Sequence, residues 1–543
     1  MKDRPKRSTK SVYARNLSMI CESEPDSYTD AINRWDAEKW RQAITEELNA
    51  HRENKTWEIV TKTPNMREIS AKWVFKVKHN ADGSIERYKA RLVARGFVQK
   101  KGVDYNEVFS PVVRMDSIRL LFSVCAQYEM HFKQFDITTA FLNGDIEEEL
   151  YLDPPEGLTV PEGSTCRLRR SLYGLKQAPR CWNTKFSEML RTFKMRQTAS
   201  DPCVYVSKGD ERLYLALYVD DGLIFAENTS SINKLLEYLT LHFKVKSVES
   251  HCFVGVEIVR DMEGKSIFLH QSGYIKRILE KFNMAHSNGA PTPLEVGHSL
   301  NRQETLDTEP VEDVPYPEAL GSLLYCATGT RPDIAQALSI LSKYSREPRS
   351  QHWQAVKRVF RYLRSTTDYG LLYRKIENPK VVCYSDADWA GDQDNRKSTS
   401  GMVTFLTSGP ISFRAQQQSV VALSTTEAEY IAASEAVKDL IWIQRFVKEL
   451  KLDVAKSLLL CDNESALKLI RNPEFHQRTK HIEIRFHFIR EKFEEGKFDL
   501  EHICSKDQRA DVFTKALSAD RFRTLRDSIG CVALERVPNE GGC

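Results

Sequence analysis

The order of apolar and polar residues predicts a chain in which strands alternate with helices. Two apolar, aromatic-rich runs flank the stretch Val219-Asp220-Asp221-Gly222, and the Asp-Gly pair predicts a tight β-hairpin over 213–226 with both aspartates at its turn. Strands are also predicted at 72–78 and 85–98 around a turn at 80–83, and at 381–385, 402–406 and 457–461, with strand, short helix and strand over 130–152. Helices are predicted at 35–48, 117–128, 180–194, 231–243 and 425–450, over most of 316–367, after 462, near 486–493 and from about 506.

The composition is that of a soluble multidomain protein: 543 residues, 41% hydrophobic, 28% charged, net charge +4. Any nucleic-acid surface must therefore be local. The basic residues 1–10 are interpreted as a disordered tail, with a nucleic-acid or nuclear-import arm as the alternative. No apolar run is long enough for a membrane span, so no membrane partner is expected. The 12 cysteines form no Cys-x-x-Cys pair, which favours free thiols in a reducing compartment.

Three carboxylates indicate a metal-dependent phosphoryl-transfer site. Asp220 and Asp221 repel each other on a rigid hairpin, and two divalent cations would relieve that repulsion. Asp136, at the end of the apolar run 132–135, is the best candidate for a third ligand. Taken singly, Asp136 fits a helix cap and the aspartate pair fits a solvated turn. Together they favour a polymerase.

Four further carboxylates, each near a strand end or a helix start, suit a two-metal hydrolase. They are Asp386, Glu429, Asp462 and Asp511, and each alone also fits a helix cap or an exposed helix residue. Asp388 shares a strand face with Asp386, so periodicity does not separate the two. Glu427 belongs to a capping box with Ser424, which favours Glu429 as the ligand. A zinc site at His476, His481 and His487 is not expected, because no cysteines lie at finger spacing.

Several ordered motifs give the chain a close resemblance, from Trp57 to Leu517, to the Pol polyprotein of copia-type (pseudovirus-like) LTR retrotransposons, in its reverse transcriptase plus ribonuclease H portion. These motifs are Tyr88–Phe97, Phe109–Val113, Asp136–Asp145, Ser171–Arg180, Tyr218–Asp221, Ser398–Gly401, Ala422–Tyr430, Thr479–Ile482 and Lys506–Asp511. One local departure is 411–418, where the family more often has tryptophan and lysines. Fewer positive charges there would weaken hybrid binding modestly.

The resemblance implies an α+β multidomain fold: a right-hand polymerase with fingers, palm and thumb, then a connection region and a ribonuclease H-like α/β domain. The expected segments are a basic tail or linker (1–35), the reverse transcriptase (36–285), a linker and helical connection (286–379), the ribonuclease H-like domain (380–518) and a C-terminal tail (519–543). Without protease or integrase motifs, the chain is expected to be a fragment, a processed product or a genomic remnant.

The resemblance also implies roles for individual residues. Asp136, Asp220 and Asp221 would hold two Mg²⁺ ions, with Mn²⁺ as a substitute, and Asp386, Glu429, Asp462 and Asp511 would hold two more. Substrate-binding roles fall to Lys89 and Arg91 (the incoming triphosphate), Phe141 (the sugar), and Tyr173 and Gly174 (the nascent base pair). Lys89 and Arg91 also fit a solvated strand face, and Phe141 also fits an aromatic residue of the core. The segment 253–257 resembles a primer-gripping hairpin.

The implied partners are an RNA template, a DNA or tRNA primer, deoxynucleotides, an RNA-DNA hybrid, and the capsid and integrase of the element. The implied location is a cytoplasmic virus-like particle, with the nucleus as the alternative. A catalytically silent nucleic-acid-binding relic or a host-recruited protein is the rival hypothesis, and a capsid or scaffold role has no supporting feature. All seven candidate acids are present, which favours an active enzyme.

Overall fold

A computed structural model describes residues 24–79, 84–248, 252–261, 265–298, 300–301, 313–472 and 483–536. Four features of the sequence analysis lie outside this part of the chain: the basic residues 1–10, the turn at 80–83, the motif at 479–482, and His476 with His481. The side chain of His487 also lies outside it.

The strands, in chain order, are β1 (Trp57–Thr61), β2 (Glu68–Ile69), β3 (Ala71–His79), β4 (Ile85–Ala94), β5 (His131–Ile137), β6 (Tyr151–Leu152), β7 (Ser164–Leu168), β8 (Met195–Gln197), β9 (Val204–Ser207), β10 (Leu213–Tyr218), β11 (Asp221–Ala226), β12 (Val245–Val248), β13 (Cys252–Phe253), β14 (Val256–Asp261), β15 (Ser266–His270), β16 (Tyr369–Arg374), β17 (Lys380–Asp388), β18 (Thr399–Phe405), β19 (Pro410–Gln417), β20 (Ala455–Cys461), β21 (Phe498–His502) and β22 (Cys531–Ala533).

The α-helices are α1 (Tyr28–Asn33), α2 (Ala37–Glu53), α3 (Met115–Gln127), α4 (Ala178–Thr192), α5 (Thr229–His242), α6 (Ser272–Lys281), α7 (Tyr316–Gly329), α8 (Ala335–Leu341), α9 (Ser350–Ser365), α10 (Thr425–Glu449), α11 (Glu464–Arg471), α12 (Glu483–Glu494), α13 (Asp511–Thr514) and α14 (Ala519–Ser528). Short 3-10 turns lie at Gly96–Val98, Ala140–Asn143, Pro332–Ile334, Ser342–Tyr344, Ser505–Asp507 and Leu534–Arg536. Strands and helices alternate through the described chain, as the apolar pattern predicts, and the α+β class is confirmed.

The chain folds into two compact units. The first comprises Met1–Val112, Asp136–Arg196 and Glu237–Lys246; the second comprises Val113–Phe135, Gln197–Leu236 and Ser247–Cys543. These units group the chain by packing rather than by catalytic role, so the domain limits expected from the sequence stay a prediction.

In the first unit, α2 packs on the β3–β4 ribbon, whose strands pair antiparallel from Ala71 with Ala94 outward. The ring of Trp40 on α2 meets Phe75 edge-on at 5.3 Å, and the carboxylate of Glu47 accepts a hydrogen bond from the backbone N–H of Leu92. This packing holds the ribbon in place as a platform for the polar side chains of β4.

In the second unit, one five-stranded sheet has the order β13-β14-β15-β16-β22 and another has the order β19-β18-β17-β20-β21. In the latter sheet, β17 pairs antiparallel with β18 but parallel with β20, and β20 pairs parallel with β21. Helix α10 packs against β17. A mixed sheet of this order, with a helix across its central strand, is the ribonuclease H-like α/β arrangement that was expected.

The expected C-terminal tail stays a prediction as a domain limit. As far as residue 536, α14 buries Phe522 and Leu525, and β22 pairs antiparallel with β16, so apolar residues anchor this segment in the core. The predicted final helix from about 506 is wrong. That stretch is a 3-10 turn followed by the single turn α13, which begins at Asp511, and the last helix starts at Ala519.

One buried cation joins α3 to the ribonuclease H-like sheet within the second unit. The Arg119 guanidinium donates to the carbonyls of Ile411 at 2.7 Å and Thr328 at 2.6 Å, and stacks over the ring of Phe413 at 4.4 Å. Residues 411 and 413 fall in the stretch that departs from the family pattern, so at these two positions the stretch faces the core. None of the helices in the described part of the chain is both long and apolar enough for a membrane span.

Asp439 on α10 gives the second unit a pH-dependent stability. Its buried carboxylate accepts from the hydroxyls of Thr404 and Ser412, both at 3.1 Å. Burial, with a smaller repulsion from Asp116, raises the pKa of Asp439 to about 6 despite the opposing charge of Arg414. Since the unfolded value is about 3.9, this group favours the folded state below that pH, and the contribution is lost as the pH rises through about 6.

Asp439→Asn is therefore expected to raise the free energy of unfolding by roughly 2 kcal/mol near pH 7.5 and to change it little near pH 4. The amide keeps both hydroxyl contacts and removes the buried charge. Urea unfolding at the two pH values measures the difference, with the exposed Asp520→Asn as the matched control. An equal effect of Asp439→Asn at both pH values would contradict the prediction.

Candidate active sites

The hairpin over 213–226 is confirmed, but its turn lies two residues earlier than the Asp-Gly signal indicates. Tyr218 pairs with Asp221 and Leu217 with Gly222, so the turn consists of Val219 and Asp220. Val219 takes the positive φ of 59° that a tight hairpin turn requires. Asp220 thus sits on the turn and Asp221 opens β11, which places the two half-buried carboxylates at the end of the hairpin.

Gly222 is needed for close packing rather than for the turn. A Cβ atom there would lie 2.1 Å from the ring of Phe135 on β5, the strand next to β11 in the sheet. Asp136 directly follows Phe135 on β5. Its role as the third ligand beside Asp220 and Asp221 stays a prediction.

In the first unit, the ring of Tyr173 contacts two other predicted substrate-binding side chains. The Arg91 guanidinium lies 4.8 Å over the ring of Tyr173, and that ring meets Phe141 edge-on at 5.0 Å. The carbonyl of Tyr173 accepts from the backbone N–H of Ala94 at 2.7 Å, and Gly174 has a φ of 92° that favours glycine. A side chain at Gly174 would collide with the Ala94 carbonyl, so the turn lies directly on β4.

Lys89 and Arg91 share one face of β4 and are both half-buried. Burial lowers the pKa of Lys89, and the charges of Arg91 and Arg87 lower it further. The Arg91 Nε is buried without a hydrogen-bond partner among the described residues. Partly desolvated cations that repel each other gain from a polyanion, which is consistent with the predicted triphosphate role.

In the second unit, two parallel strands end in carboxylates side by side. Tyr384 on β17 is in register with Leu460 on β20, and Asp386 and Asp462 each follow two residues later. Glu429, in the first turns of α10, lies beside Asp462: one carboxylate oxygen of each and the Cys461 thiol lie within 4.8 Å of one another. The α10 helix and the ends of the two strands thus gather carboxylates that are distant in the sequence.

These carboxylates are electrostatically unfavourable as they stand. Burial, then repulsion from Asp386 and Asp462, raises the pKa of Glu429 to about 9. Burial also raises the pKa of Asp386 to about 6, against the opposing charge of Lys515. Oxygen ligands gathered at such a cost fit a hard divalent cation such as Mg²⁺, so the residues present fit the implied metal.

Asp511, on α13, is held by two cations. Lys515 Nζ lies 2.8 Å from one carboxylate oxygen of Asp511 and 3.6 Å from a carboxylate oxygen of Asp386. A guanidinium nitrogen of Arg521 lies 3.2 Å from the other carboxylate oxygen of Asp511. The Thr514 hydroxyl donates to Asp386. The four predicted acids therefore form one cluster, within which Lys515 bridges two members.

The two sequence ambiguities have structural counterparts. The Glu427 carboxylate accepts from the Leu423 backbone N–H, and the Ser424 hydroxyl accepts from the Glu427 N–H, so Glu427 serves the predicted helix cap. The Asp388 carboxylate lies beside Gly391, and burial raises its pKa against the opposing charge of Lys515. The ring of His502 lies 3.2 Å from the Asp462 carbonyl, at the rim of the cluster.

Sequence reasoning missed Cys461, Thr514, Lys515 and Arg521. Only Lys515 carried a signal, since it follows Asp511 by four residues, the spacing of a helical ion pair. Cys461 precedes a predicted ligand and resembles an ordinary buried strand residue.

Lys515→Met is expected to tighten divalent-cation binding at this cluster by about 10-fold, because one positive charge that competes with the cation is removed. Isothermal titration with Mg²⁺ and Mn²⁺ measures the affinity directly, without turnover. Lys506→Met, which removes a nearby lysine outside the cluster, is the matched control. An unchanged or weaker affinity in Lys515→Met alone would contradict the prediction.

Comparison with known proteins places these sites in a family. A family model described as reverse transcriptase (RNA-dependent DNA polymerase) matches residues 54–296. The Pol polyprotein of transposon TNT 1-94 from Nicotiana tabacum is 41% identical over 518 residues, 93% of this chain and 39% of that protein. The Ty5-1 transposon protein of Saccharomyces cerevisiae is 32% identical over 56% of this chain and 100% of its own length. The chain belongs to the copia-type retrotransposon Pol family.

The copia-type Pol relative from Nicotiana tabacum extends well beyond this chain, which spans 39% of its length. A solved foamy viral protease-reverse transcriptase in complex with an RNA/DNA hybrid aligns with a TM-score of 0.42 and 13% identity, over 86% of this chain and 54% of that chain. That likeness is too low to carry a functional conclusion, so the sequence relatives define the family.

Proposed function

We propose that this chain is the RNA-directed DNA polymerase of a copia-type retrotransposon, which copies element RNA into cDNA, and that it also cleaves the RNA strand of the RNA-DNA hybrid. The observation that carries the proposal is the hairpin that presents Asp220 and Asp221 within the region matched by the reverse transcriptase family. Adjacent carboxylates on a rigid turn fit two-metal phosphoryl transfer.

In the polymerase, Asp136, Asp220 and Asp221 would hold two Mg²⁺ or Mn²⁺ ions, and the chemistry supplied by such ions would be activation of the primer 3′-hydroxyl and stabilisation of the charge on the leaving pyrophosphate. The side chains of the protein bind and orient the nucleotide and the nascent base pair. Lys89 and Arg91 present positive charge to the incoming triphosphate. Phe141 packs against the sugar and excludes a 2′-hydroxyl, and Tyr173 with Gly174 supports the nascent base pair.

In the ribonuclease H-like domain, Asp386, Glu429, Asp462 and Asp511 would hold the two metal ions. Asp386 and Asp462 are fixed by β17 and by the end of β20, while α10 carries Glu429 and α13 carries Asp511. The RNA strand would be distinguished by its 2′-hydroxyls. The partners in this proposal are an RNA template, a DNA or tRNA primer, deoxynucleotides and the hybrid. The element capsid and integrase would join them in a cytoplasmic virus-like particle, with the nucleus as the alternative site.

Primer extension tests the proposal. The purified chain is incubated with an RNA template, a DNA primer, deoxynucleotides and Mg²⁺ or Mn²⁺, beside the Asp220→Asn/Asp221→Asn double variant. Metal-dependent extension that the variant lacks supports the polymerase. Folded protein that binds primer-template without extending it, and does not cleave a hybrid, would favour the silent relic.

A further inference from the structure

The loop from residue 95 to residue 109, in the first unit, exposes large apolar side chains and buries two polar ones. Phe97 is 78% exposed, Val103 69% and Phe109 80%, although each is apolar. An apolar residue exposed alone is ordinary, but several on one short loop mark a binding surface. We call residues 95–109 the apolar loop.

Two polar residues of the apolar loop are buried instead. Gln99 and Asp104 have exposures of 4% and 6%. The Gln99 amide donates to Gln177 at 3.0 Å, the Gln177 amide donates to the Asp104 carbonyl at 2.9 Å, and Arg67 pairs with the Asp104 carboxylate at 3.1 Å. Hydrogen bonds to buried partners fix the loop, so its exposed rings are held in position before any ligand arrives.

The apolar loop is attached to the segment that carries the predicted substrate residues. A side chain on Gly96 would lie 2.1 Å from the Gly174 carbonyl, so the two backbones are in contact. The backbone N–H of Lys176 donates to the Gln99 side chain at 2.9 Å, and its ammonium contacts the Tyr105 hydroxyl at 3.2 Å. A ligand bound to the apolar loop would therefore lie next to a ligand that contacts Tyr173 and Gly174.

The charge of the apolar loop favours a polyanion. Arg95, Lys100 and Lys101 are exposed and form no ion pair with any residue in the described part of the chain. The two acids of the loop are already neutralised, Asp104 by Arg67 and Glu107 by Arg180 at 2.8 Å. Exposed aromatic rings beside unpaired cations are the features with which proteins bind single-stranded nucleic acid, by base stacking and phosphate attraction.

We propose that the apolar loop binds the single-stranded template, with Phe97 and Phe109 stacking on unpaired bases and Lys100 and Lys101 contacting phosphates. This inference rests on the proposed polymerase function and names a surface for one of its substrates. The apolar loop would hold template bases before they pair. Its contribution to the binding affinity is therefore separate from that of the duplex.

Binding without turnover tests the inference. Fluorescence anisotropy of the full chain, with Ca²⁺ in place of Mg²⁺, compares a primer-template that has a 5′ RNA overhang with the same duplex made blunt. The Phe97→Ala/Phe109→Ala variant is expected to lose about 10-fold in affinity for the overhang substrate and to bind the blunt duplex unchanged. Trp35→Ala removes an aromatic ring that is 73% exposed elsewhere in the unit, and should bind both substrates as the wild type does.

Two further measurements distinguish a single-stranded template from a second copy of the chain as the ligand of the apolar loop. Lys100→Ala/Lys101→Ala is expected to reduce the salt dependence of overhang binding by a slope of about 1.4. Unchanged overhang affinity in the phenylalanine variant overturns the inference. If sedimentation shows that this variant instead converts a dimer to a monomer, the loop contacts a second copy, and the inference also fails. Primer extension by the wild-type chain on the same substrate is scored separately, so failure of the loop is distinguished from failure of the polymerase function.

Discussion

Asp462→Asn is expected to slow cleavage of an RNA-DNA hybrid on the order of 10³-fold while primer extension stays within about two-fold of wild type. Asp462 directly follows β20, is half-exposed and lies beside Glu429. The amide has the same shape as the carboxylate but lacks the charge that a divalent cation requires. The loss should therefore reflect metal binding and not folding.

The reciprocal variant makes the assignment specific. Asp220→Asn/Asp221→Asn should abolish extension and preserve cleavage, because the hairpin takes no part in the acid cluster. Both rates are measured on one labelled hybrid, and circular dichroism spectra verify that each variant is folded. Loss of both activities in either variant would show that the two groups of acids are not separate sites.

Much of this arrangement follows from local pattern. The apolar runs around residues 219–222 predict the hairpin, and the capping box at Ser424 predicts the start of α10, because hydrogen bonds within a few residues determine both. The exact turn was missed, since Gly222 is selected by the ring of Phe135, more than 80 residues away in the chain. Local signals locate an element, whereas packing determines which of its residues turns.

The four acids were predicted as a set from their places near strand ends and helix starts and from the family resemblance, but their electrostatics were not. Glu429 lies on an ordinary helical sequence, and it is burial, together with repulsion from Asp386 and Asp462, that raises its pKa. Lys515 bridges Asp386 and Asp511 because α13 is a single turn that ends against β17, a feature the predicted longer helix from 506 obscured. The contact between Lys515 and Asp386 joins residues more than 100 positions apart, which periodicity does not report.

A buried ion pair in the second unit was also invisible in the sequence. The side chains of Arg331 and Asp333 both have 0% exposure, and the guanidinium donates two hydrogen bonds to the carboxylate, of 3.0 and 2.8 Å. The Tyr362 hydroxyl donates to the same carboxylate at 2.5 Å, and Arg331 donates to the Thr366 carbonyl at 2.6 Å. The pair thus ties the turn after α7 to the end of α9.

Asp333→Ala is expected to lower the free energy of unfolding by about 3–5 kcal/mol, because it leaves the Arg331 charge buried and unpaired. Urea unfolding at neutral pH measures the loss. Glu295→Ala, which breaks the pair between Arg358 and the largely exposed Glu295, is the matched control and should cost about 1 kcal/mol or less. Equal losses in the two variants would contradict the role assigned to the buried pair.

The same pair makes a prediction about acid. Burial alone would raise the pKa of Asp333, but the charge and hydrogen bonds of Arg331 outweigh it, and the pKa is lowered. A carboxyl with a lowered folded pKa contributes stability above its unfolded value of about 3.9 and loses it only as the pH falls through the folded value. The deficit of Asp333→Ala should therefore be constant from neutral pH down to about 4 and shrink only below it. The stability gained by Asp439→Asn changes between about pH 4 and 6 instead. The two buried aspartates of this unit thus respond to opposite ends of the acidic range, because only Asp333 has a cation within hydrogen-bonding distance.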